Sequence, residues 1–86
     1  MYTVELSHPA LKSLEDIPKS DLKKISKKID ALESNPRPHQ VEKLVGREDL
    51  YRIRSGDYRI VYQIFDKKLL VLVVNVGHRR EIYRNL

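Results

Sequence analysis

Apolar side chains in the first part of the chain change from a period of two to a helical period. Met1 to Leu6 alternates apolar with polar positions, as a half-buried strand does. From His8 to Asp16 the leucines recur at helical spacing, with Ser7 placed to cap the helix and Pro9 in its first turn, where a missing amide hydrogen costs nothing. The pattern predicts a strand followed by a short helix.

A second, longer helix is predicted by four apolar residues spaced by three, four and three. They form one stripe that would face a core: Leu22, Ile25, Ile29 and Leu32. Asn35-Pro36 marks the end of this helix. Most of its opposite side is occupied by Lys23, Lys24, Lys27 and Lys28. Such a run is typical of a solvated face, with a supporting contact to a nucleic-acid backbone as the alternative.

From Leu50 onward the pattern is that of a sheet. Three strands are predicted, at Leu50–Arg54, Tyr58–Phe65 and Leu69–Gly77, and the short polar segments between them fit hairpin turns. Before them, Asn35–Gln40 is a proline-containing linker, and residues 41–49 fit no element clearly.

The order of these elements predicts an α+β fold, β-α-α-β-β-β. Because the helices are consecutive, we expect them to form a hairpin packed on one face of a small, mainly antiparallel four-stranded sheet. The other face would stay partly open. The 86 residues are expected to form a single domain, 1–86.

The composition narrows the classes of function. A chain of 86 residues has little room for an internal cofactor cavity beside its core, which excludes Rossmann dehydrogenases, barrels and kinases. There is no cysteine, and the histidines at positions 8, 39 and 78 are far apart, so we expect no metal and no cofactor. No segment resembles a membrane span or a signal peptide, and a cytoplasmic location is expected.

The formal net charge of +5 is unevenly divided along the chain. Residues 1–46 carry seven lysines and one arginine against seven acids, whereas residues 47–86 carry seven arginines and two lysines against five acids. Guanidinium groups bind phosphate through two parallel hydrogen bonds, so the second half is expected to meet a polyanion. Basic residues retained for solubility are the alternative.

Strand alternation predicts that arginines converge on one face of the sheet. Arg52 and Arg54 would stand about 7 Å apart on one side of their strand, and a tight turn would bring Arg54 next to Arg59. One face of the last strand is expected to carry Val73, Asn75, Gly77 and Arg79. Such a cluster indicates an anionic ligand. The alternative is neutralisation in surface pairs by Asp49, Asp57 and Glu81.

The segment Gly77–Arg84 contains groups that RNA cleavage needs. The 2′-hydroxyl of RNA is its own nucleophile, so a protein has to accept its proton, stabilise charge around the phosphorus and protonate the leaving 5′-oxygen. Arginine would stabilise the charge, and His78, Glu81 or Tyr83 could take part in proton transfer. A surface histidine and a packing tyrosine are the alternatives.

Two stretches form a specific combination: Leu50–Ile64, LYRIRSGDYRIVYQI, and Leu72–Tyr83, LVVNVGHRREIY. With the early strand and helices, they resemble the RelE branch of the RelE/ParE toxin superfamily over essentially the whole chain. The resemblance implies the toxin of a type II toxin–antitoxin system, a metal-independent endonuclease that cuts messenger RNA in the ribosomal A site. It implies a cognate antitoxin, small and acidic or amphipathic, as a partner besides mRNA and the ribosome, and no membrane.

The resemblance also implies site residues. Arg59 and Arg79 would hold and neutralise the scissile phosphate, and Tyr83 would orient or deprotonate the 2′-hydroxyl or stack on a base. RNA contacts would come from Arg52, Arg54, Arg80 and His78. The best-known RelE pattern has lysine at the first two basic positions of the strands; arginine cannot release a proton there, so only charge stabilisation carries over. A ParE-like poison of DNA gyrase and a non-catalytic nucleic-acid-binding module are the alternatives.

Overall fold

A computed structural model of the protein describes residues 1–44, 46 and 49–78. Within these ranges the chain forms two α-helices, five strands and one 3-10 turn. In chain order they are β1 (Thr3–Leu6), α1 (His8–Glu15), α2 (Lys19–Ala31), β2 (Glu42–Lys43), β3 (Leu50–Ser55), β4 (Tyr58–Phe65), the 3-10 turn (Asp66–Lys68) and β5 (Leu70–His78). None of the helices in these ranges is long and apolar enough to cross a bilayer.

The strands form one mixed sheet in the order β1-β5-β4-β3-β2. The pairs β2·β3, β3·β4 and β4·β5 are antiparallel, and β1 pairs with β5 in parallel. The predicted α+β class and the main strands are therefore confirmed. The sheet has five strands rather than four because β2 adds to its edge, and a strand of two residues is too short to show a period in the sequence.

Ser7 connects the start of α1 to the sheet. Its hydroxyl oxygen accepts a hydrogen bond from the backbone N–H of Ala10 at 3.2 Å, as an N-cap does, and the hydroxyl donates to the carbonyl of Val74 in β5 at 2.9 Å. The backbone N–H of Ser7 donates to the carbonyl of Val73. This one residue both begins the helix and fixes it to β5.

The main core lies between the helices and one face of the sheet. Its buried side chains come from both helices and the three central strands. Those with almost no exposure include Ala10, Ile25, Leu32, Ile60, Tyr62, Val71, Val73 and Val76. A smaller cluster on the other face consists of Leu50 and Val61, with Leu44 and Val74 packed against them. Both helices therefore cover the same face, as predicted, and the second face stays open beyond this small cluster.

The linker after α2 is held to the sheet by polar contacts. The Tyr62 hydroxyl, buried in the core, donates to the carbonyl of Pro36 at 2.7 Å, and burial raises the pKa of this phenol. Arg37 donates to both carboxylate oxygens of Asp66, at 2.9 and 3.1 Å, and its guanidinium lies over the ring of Tyr51. These bonds fix the linker at the end of the sheet where β4 finishes.

Candidate nucleic-acid interface

Three arginines project from the open face of the sheet. In β3, Ile53 enters the core, so the alternation of the strand sends Arg52 and Arg54 to the other face. In β4, Ile60 is likewise in the core, which places Arg59 on the open face. The convergence predicted from the sequence is confirmed for these three residues.

Arg54 and Arg59 are directly opposite each other across the β3–β4 hairpin. They are Cα partners, which places their Cα atoms about 4.5 to 5.5 Å apart, and Arg52 stands opposite Val61. The three arginine side chains therefore project from a patch of the sheet about two residues long and two strands wide.

The hairpin turn sets this register. Ser55 and Tyr58 are the last Cα partners, leaving Gly56 and Asp57 as the two turn residues. Gly56 has a φ of 60°, and glycine with a positive φ at the first turn position is typical of the type II′ hairpin, whose twist matches that of the strands. A slip of one residue would turn Arg59 toward the core, so the turn keeps the arginines together.

Arg52 forms an ion pair with Glu42 of β2. Its Nη2 donates to Oε2 of Glu42 at 2.6 Å; the Arg52 side chain is 16% exposed and that of Glu42 64%. The hydrogen bond from Arg52 lowers the pKa of Glu42, as do the positive charges of Arg52, Arg59 and Arg54. All three arginines therefore favour the charged form of this one carboxylate.

The ion pairs test the alternative that surface carboxylates neutralise the arginine cluster. Within the described ranges, the ion pairs are Arg37–Asp66 and Arg52–Glu42, so neither Asp49 nor Asp57 neutralises an arginine of the cluster there. Glu42 was not predicted, because it lies in the segment 41–49 that shows no clear period. The sequence signal that could have indicated Glu42 is a carboxylate next to Lys43 a few residues before β3, where a short edge strand can pair with β3.

Arg54 and Arg59 are positioned differently. Arg59 is half-buried, and its Nη1 donates to the carbonyl of Tyr58 at 3.3 Å, which holds the guanidinium close to the sheet. Arg54 is exposed at the end of β3. In the described part of the chain neither forms an ion pair with a carboxylate. Two guanidinium groups are thus available to an anion beside one that is already paired.

A bulge in β5 corrects one expectation for this face. Tyr62 pairs with Val73 and Val61 with Asn75, so Val74 is an extra residue in β5. Val73 therefore points into the main core rather than sharing a face with Asn75 and Gly77, as strict alternation predicted. After the bulge, Gly77 is the Cα partner of Arg59 and, having no side chain, leaves the guanidinium uncovered from β5.

The remaining predicted site residues lie elsewhere or outside the described ranges. His78 is the Cα partner of Tyr58, and the two rings meet edge to face with centroids 5.9 Å apart, on the side of the sheet away from the arginines. Arg79, Arg80 and Tyr83 lie outside the described residues. No group of three or more His, Asp or Glu side chains that could hold a metal ion occurs within residues 1–44, 46 and 49–78.

Comparison with known proteins identifies the family. A family model described as the ParE toxin of type II toxin–antitoxin system, parDE, matches residues 4–83. The mRNA interferase toxin RelE of Escherichia coli K12 is 35% identical over 86 residues, covering 95% of this chain and 90% of that protein.

Two crystal structures have the same fold. The archaeal RelE–RelB complex from Pyrococcus horikoshii matches with a TM-score of 0.82 and 32% identity over 93% of this chain and 97% of that one. The intact E. coli RelBE toxin–antitoxin complex matches with a TM-score of 0.79 and 34% identity, over 91% and 96%. The chain therefore belongs to the RelE/ParE superfamily of toxins from type II toxin–antitoxin systems, as its motifs predicted.

Proposed function

We propose that this protein is a RelE-like endoribonuclease that cuts messenger RNA in the ribosomal A site. The observation that carries the proposal is the convergence of Arg52, Arg54 and Arg59 on the face of the sheet that the helices leave open. A flat basic face suits an extended polyanion, whereas a small anion would be held in a pocket. The similarity to a protein named mRNA interferase supports RNA as that polyanion.

The reaction needs no external nucleophile. The 2′-oxygen of the substrate attacks the adjacent phosphorus, the bond from phosphorus to the 5′-oxygen breaks, and the products carry a 2′,3′-cyclic phosphate and a 5′-hydroxyl. One proton leaves the 2′-hydroxyl and one is delivered to the 5′-oxygen. Negative charge accumulates on the non-bridging phosphate oxygens between these events, and Arg59 with Arg79 would neutralise it.

The arginines cannot carry the protons, because a guanidinium stays charged at any physiological pH. By the family resemblance Tyr83 would orient or deprotonate the 2′-hydroxyl, Arg52 and Arg54 would support the charge of the site, and Arg80 would bind RNA. His78, the last residue of β5, would also contact RNA. Its ring packs against Tyr58 on the other side of the sheet, so we expect this contact to be the weakest of the set.

An antitoxin partner follows from the same surface. Both crystal structures compared above are toxin–antitoxin complexes, and we propose that this chain likewise binds a cognate antitoxin, small and acidic or amphipathic. Carboxylates of that partner would compete with RNA for the arginines by forming ion pairs like the one between Glu42 and Arg52. Residues 1–86 would act as one toxin domain, in the cytoplasm, where ribosomes are.

The ParE description of the matched family supports a second candidate function, inhibition of DNA gyrase. That activity needs no arginine–tyrosine cleavage site. A supercoiling assay with purified gyrase separates the two. Inhibition of gyrase without cleavage of mRNA would replace the proposal by the ParE-like function.

The proposal is tested by incubating the purified chain with mRNA in the presence and absence of programmed ribosomes. We expect cleavage only with ribosomes, and strongly reduced cleavage by Arg79→Ala and by Tyr83→Phe. Undiminished cleavage by both variants would overturn the site assignment. Salt-sensitive RNA binding without cleavage under any condition would favour a non-catalytic binding module instead.

A further inference from the structure

A basic cleft lies beside the arginine face, between α2 and the edge of β3. Its volume is about 740 Å³, and the residues that line it include Lys24, Lys27, Lys28, Glu42, Arg54 and Gly56. β2 pairs only with Tyr51 and Arg52, so the end of β3 has no neighbouring strand on the side away from β4, and the cleft lies there. We call this surface the lysine cleft.

The three lysines lie on one side of α2. Lys27 and Lys28 lie three and four residues after Lys24, so each is a neighbour of Lys24 on the helix surface, and like charges at these spacings destabilise a helix by about 0.2 to 0.5 kcal/mol per pair. All three are exposed, and within the described ranges none forms an ion pair. The helix therefore keeps an unneutralised row of charge on this side.

The cleft is continuous with the arginine face. Arg54 lines the cleft and is also the Cα partner of Arg59. Glu42 is the one acid among the lining residues that the structure describes, and its carboxylate is already bonded to Arg52. A solvated lysine face would be expected to point into open water, whereas these lysines face a fourth cation across a groove.

The chemistry of the lining favours a nucleic-acid backbone over a protein partner. The large hydrophobic residues exposed in the described ranges are Met1, Leu11 and Leu69, and none of them lines the cleft. A folded or helical protein segment binds chiefly through large apolar anchors, and no large apolar side chain is among the described residues that line the cleft. The evenly spaced phosphates of a nucleic-acid backbone can bind to the lysine and arginine side chains of the cleft without an apolar contact.

We propose that the lysine cleft binds the phosphate backbone of an RNA strand that continues past the arginine face around the edge of β3. The inference rests on the proposed function in that it takes RNA as the ligand. Arg54 belongs to both surfaces and would contact the phosphate at the junction. The cleft adds binding energy for longer RNA and takes no part in bond cleavage.

The test measures binding of 2′-O-methyl RNA, which lacks the nucleophilic hydroxyl and cannot be cut by its attack. Oligonucleotides of about four and about twelve nucleotides are titrated at several salt concentrations. The cleft variant carries Lys24→Gln, Lys27→Gln and Lys28→Gln. The matched control carries the same change at three exposed lysines away from the cleft, Lys12, Lys19 and Lys67. Thermal unfolding of both variants establishes that they are folded.

For the long oligonucleotide we expect the negative slope of log K against log salt to become shallower by about 2 in the cleft variant. Three phosphate contacts are lost, and each contributes about 0.7 to the slope. The control variant should keep the wild-type slope, and the short oligonucleotide should bind both variants alike. Equal slopes for the cleft and control variants overturn the proposal. An equal loss for short and long RNA also overturns it, since the lysines would then act only through net charge.

Together with the cleavage assay on programmed ribosomes, this titration separates the inference from the proposed function. A chain that fails to cut mRNA on ribosomes but shows the length-dependent loss retains an RNA-binding cleft without being the proposed nuclease. A chain that cuts mRNA but shows no such loss is the nuclease without the cleft contact. Binding of a poly-glutamate peptide that is lost in the cleft variant, with no binding of RNA, would reassign the cleft to an acidic protein segment and overturn the inference.

Discussion

Arg54 and Arg59 are Cα partners across the β3–β4 hairpin, with no carboxylate paired to either in the described part of the chain. Directly opposed like charges destabilise an antiparallel pair. The fold therefore retains a repulsive arrangement next to a turn that fixes it. An anion bound between the two guanidinium groups would relieve the repulsion, which connects the local energetics to the proposed binding of RNA.

Replacing Arg54 should make the isolated protein more stable. We expect Arg54→Gln to raise the free energy of unfolding by about 0.2 to 1 kcal/mol, because it removes the opposed charge from Arg59. Urea denaturation measures the change. Arg37→Gln is the matched control, and it should be destabilising because Arg37 bonds to Asp66 and stacks on Tyr51. A clear loss of stability in Arg54→Gln would show that its charge is not repelled in the folded state.

Removing Glu42 should strengthen RNA binding. Glu42→Gln releases Arg52 from its ion pair and deletes a negative charge from the arginine face. We expect affinity for RNA at low salt to rise about two- to five-fold, the size typical of one exposed charge pair. Fluorescence anisotropy measures it, with Glu15→Gln on α1 as the control for net charge. An equal rise in both variants would mean that the pair does not compete with RNA.

The hydroxyl of Tyr62 should contribute strongly to stability. Tyr62→Phe deletes a buried hydrogen bond and leaves the carbonyl of Pro36 without its donor, so we expect a loss of about 1 to 3 kcal/mol in urea denaturation. Tyr51→Phe is the comparison. Its hydroxyl accepts only a 3.4 Å bond from Arg37, and we expect a loss of at most about 0.5 kcal/mol. Similar losses at the two positions would refute the role given to the Pro36 bond.

Stability should depend on the ionisation of Asp66. Hydrogen bonds from Arg37 and then from Tyr2 lower the pKa of Asp66 from 3.8 to about 2. Because the folded state favours the charged form, the stabilisation is fully present above about pH 3.8 and is lost as the pH falls through about 2.

We therefore expect Asp66→Asn to lower the urea midpoint at pH 7, and the gap from wild type to close between about pH 4 and pH 2. Asp30→Asn, at an exposed position of α2, serves as the control for the lost charge. A gap that stays constant down to pH 2 would mean that Asp66 acts through something other than its charge.

Much of the fold could be predicted because its signals are local. The stripe from Leu22 to Leu32 and the alternation in β3 and β4 each specify which side of an element is buried. The turn at Gly56 fixes the pairing that joins Arg54 to Arg59. Local pattern and close pairing were therefore enough to predict the arginine face.

The rest depended on non-local packing that no local period reports. The bulge at Val74 moves Val73 into the core, and a single extra residue in an apolar strand leaves no trace in its hydrophobicity. Glu42 reaches Arg52 through a strand of two residues. The cleft depends on how α2 lies against the edge of β3, which the sequence of neither element specifies.

The rate of mRNA cleavage on programmed ribosomes by Arg59→Gln, compared with wild type and with Arg37→Gln, tests the central claim most directly. Arg37 is the matched control because its partner Asp66 lies seven residues along the chain from Arg59, about 23 Å at strand spacing. We predict that Arg59→Gln cuts about 100- to 1,000-fold more slowly, while folded Arg37→Gln cuts near the wild-type rate. Cleavage by Arg59→Gln at the wild-type rate would contradict the assignment of RNA cleavage to the arginine face.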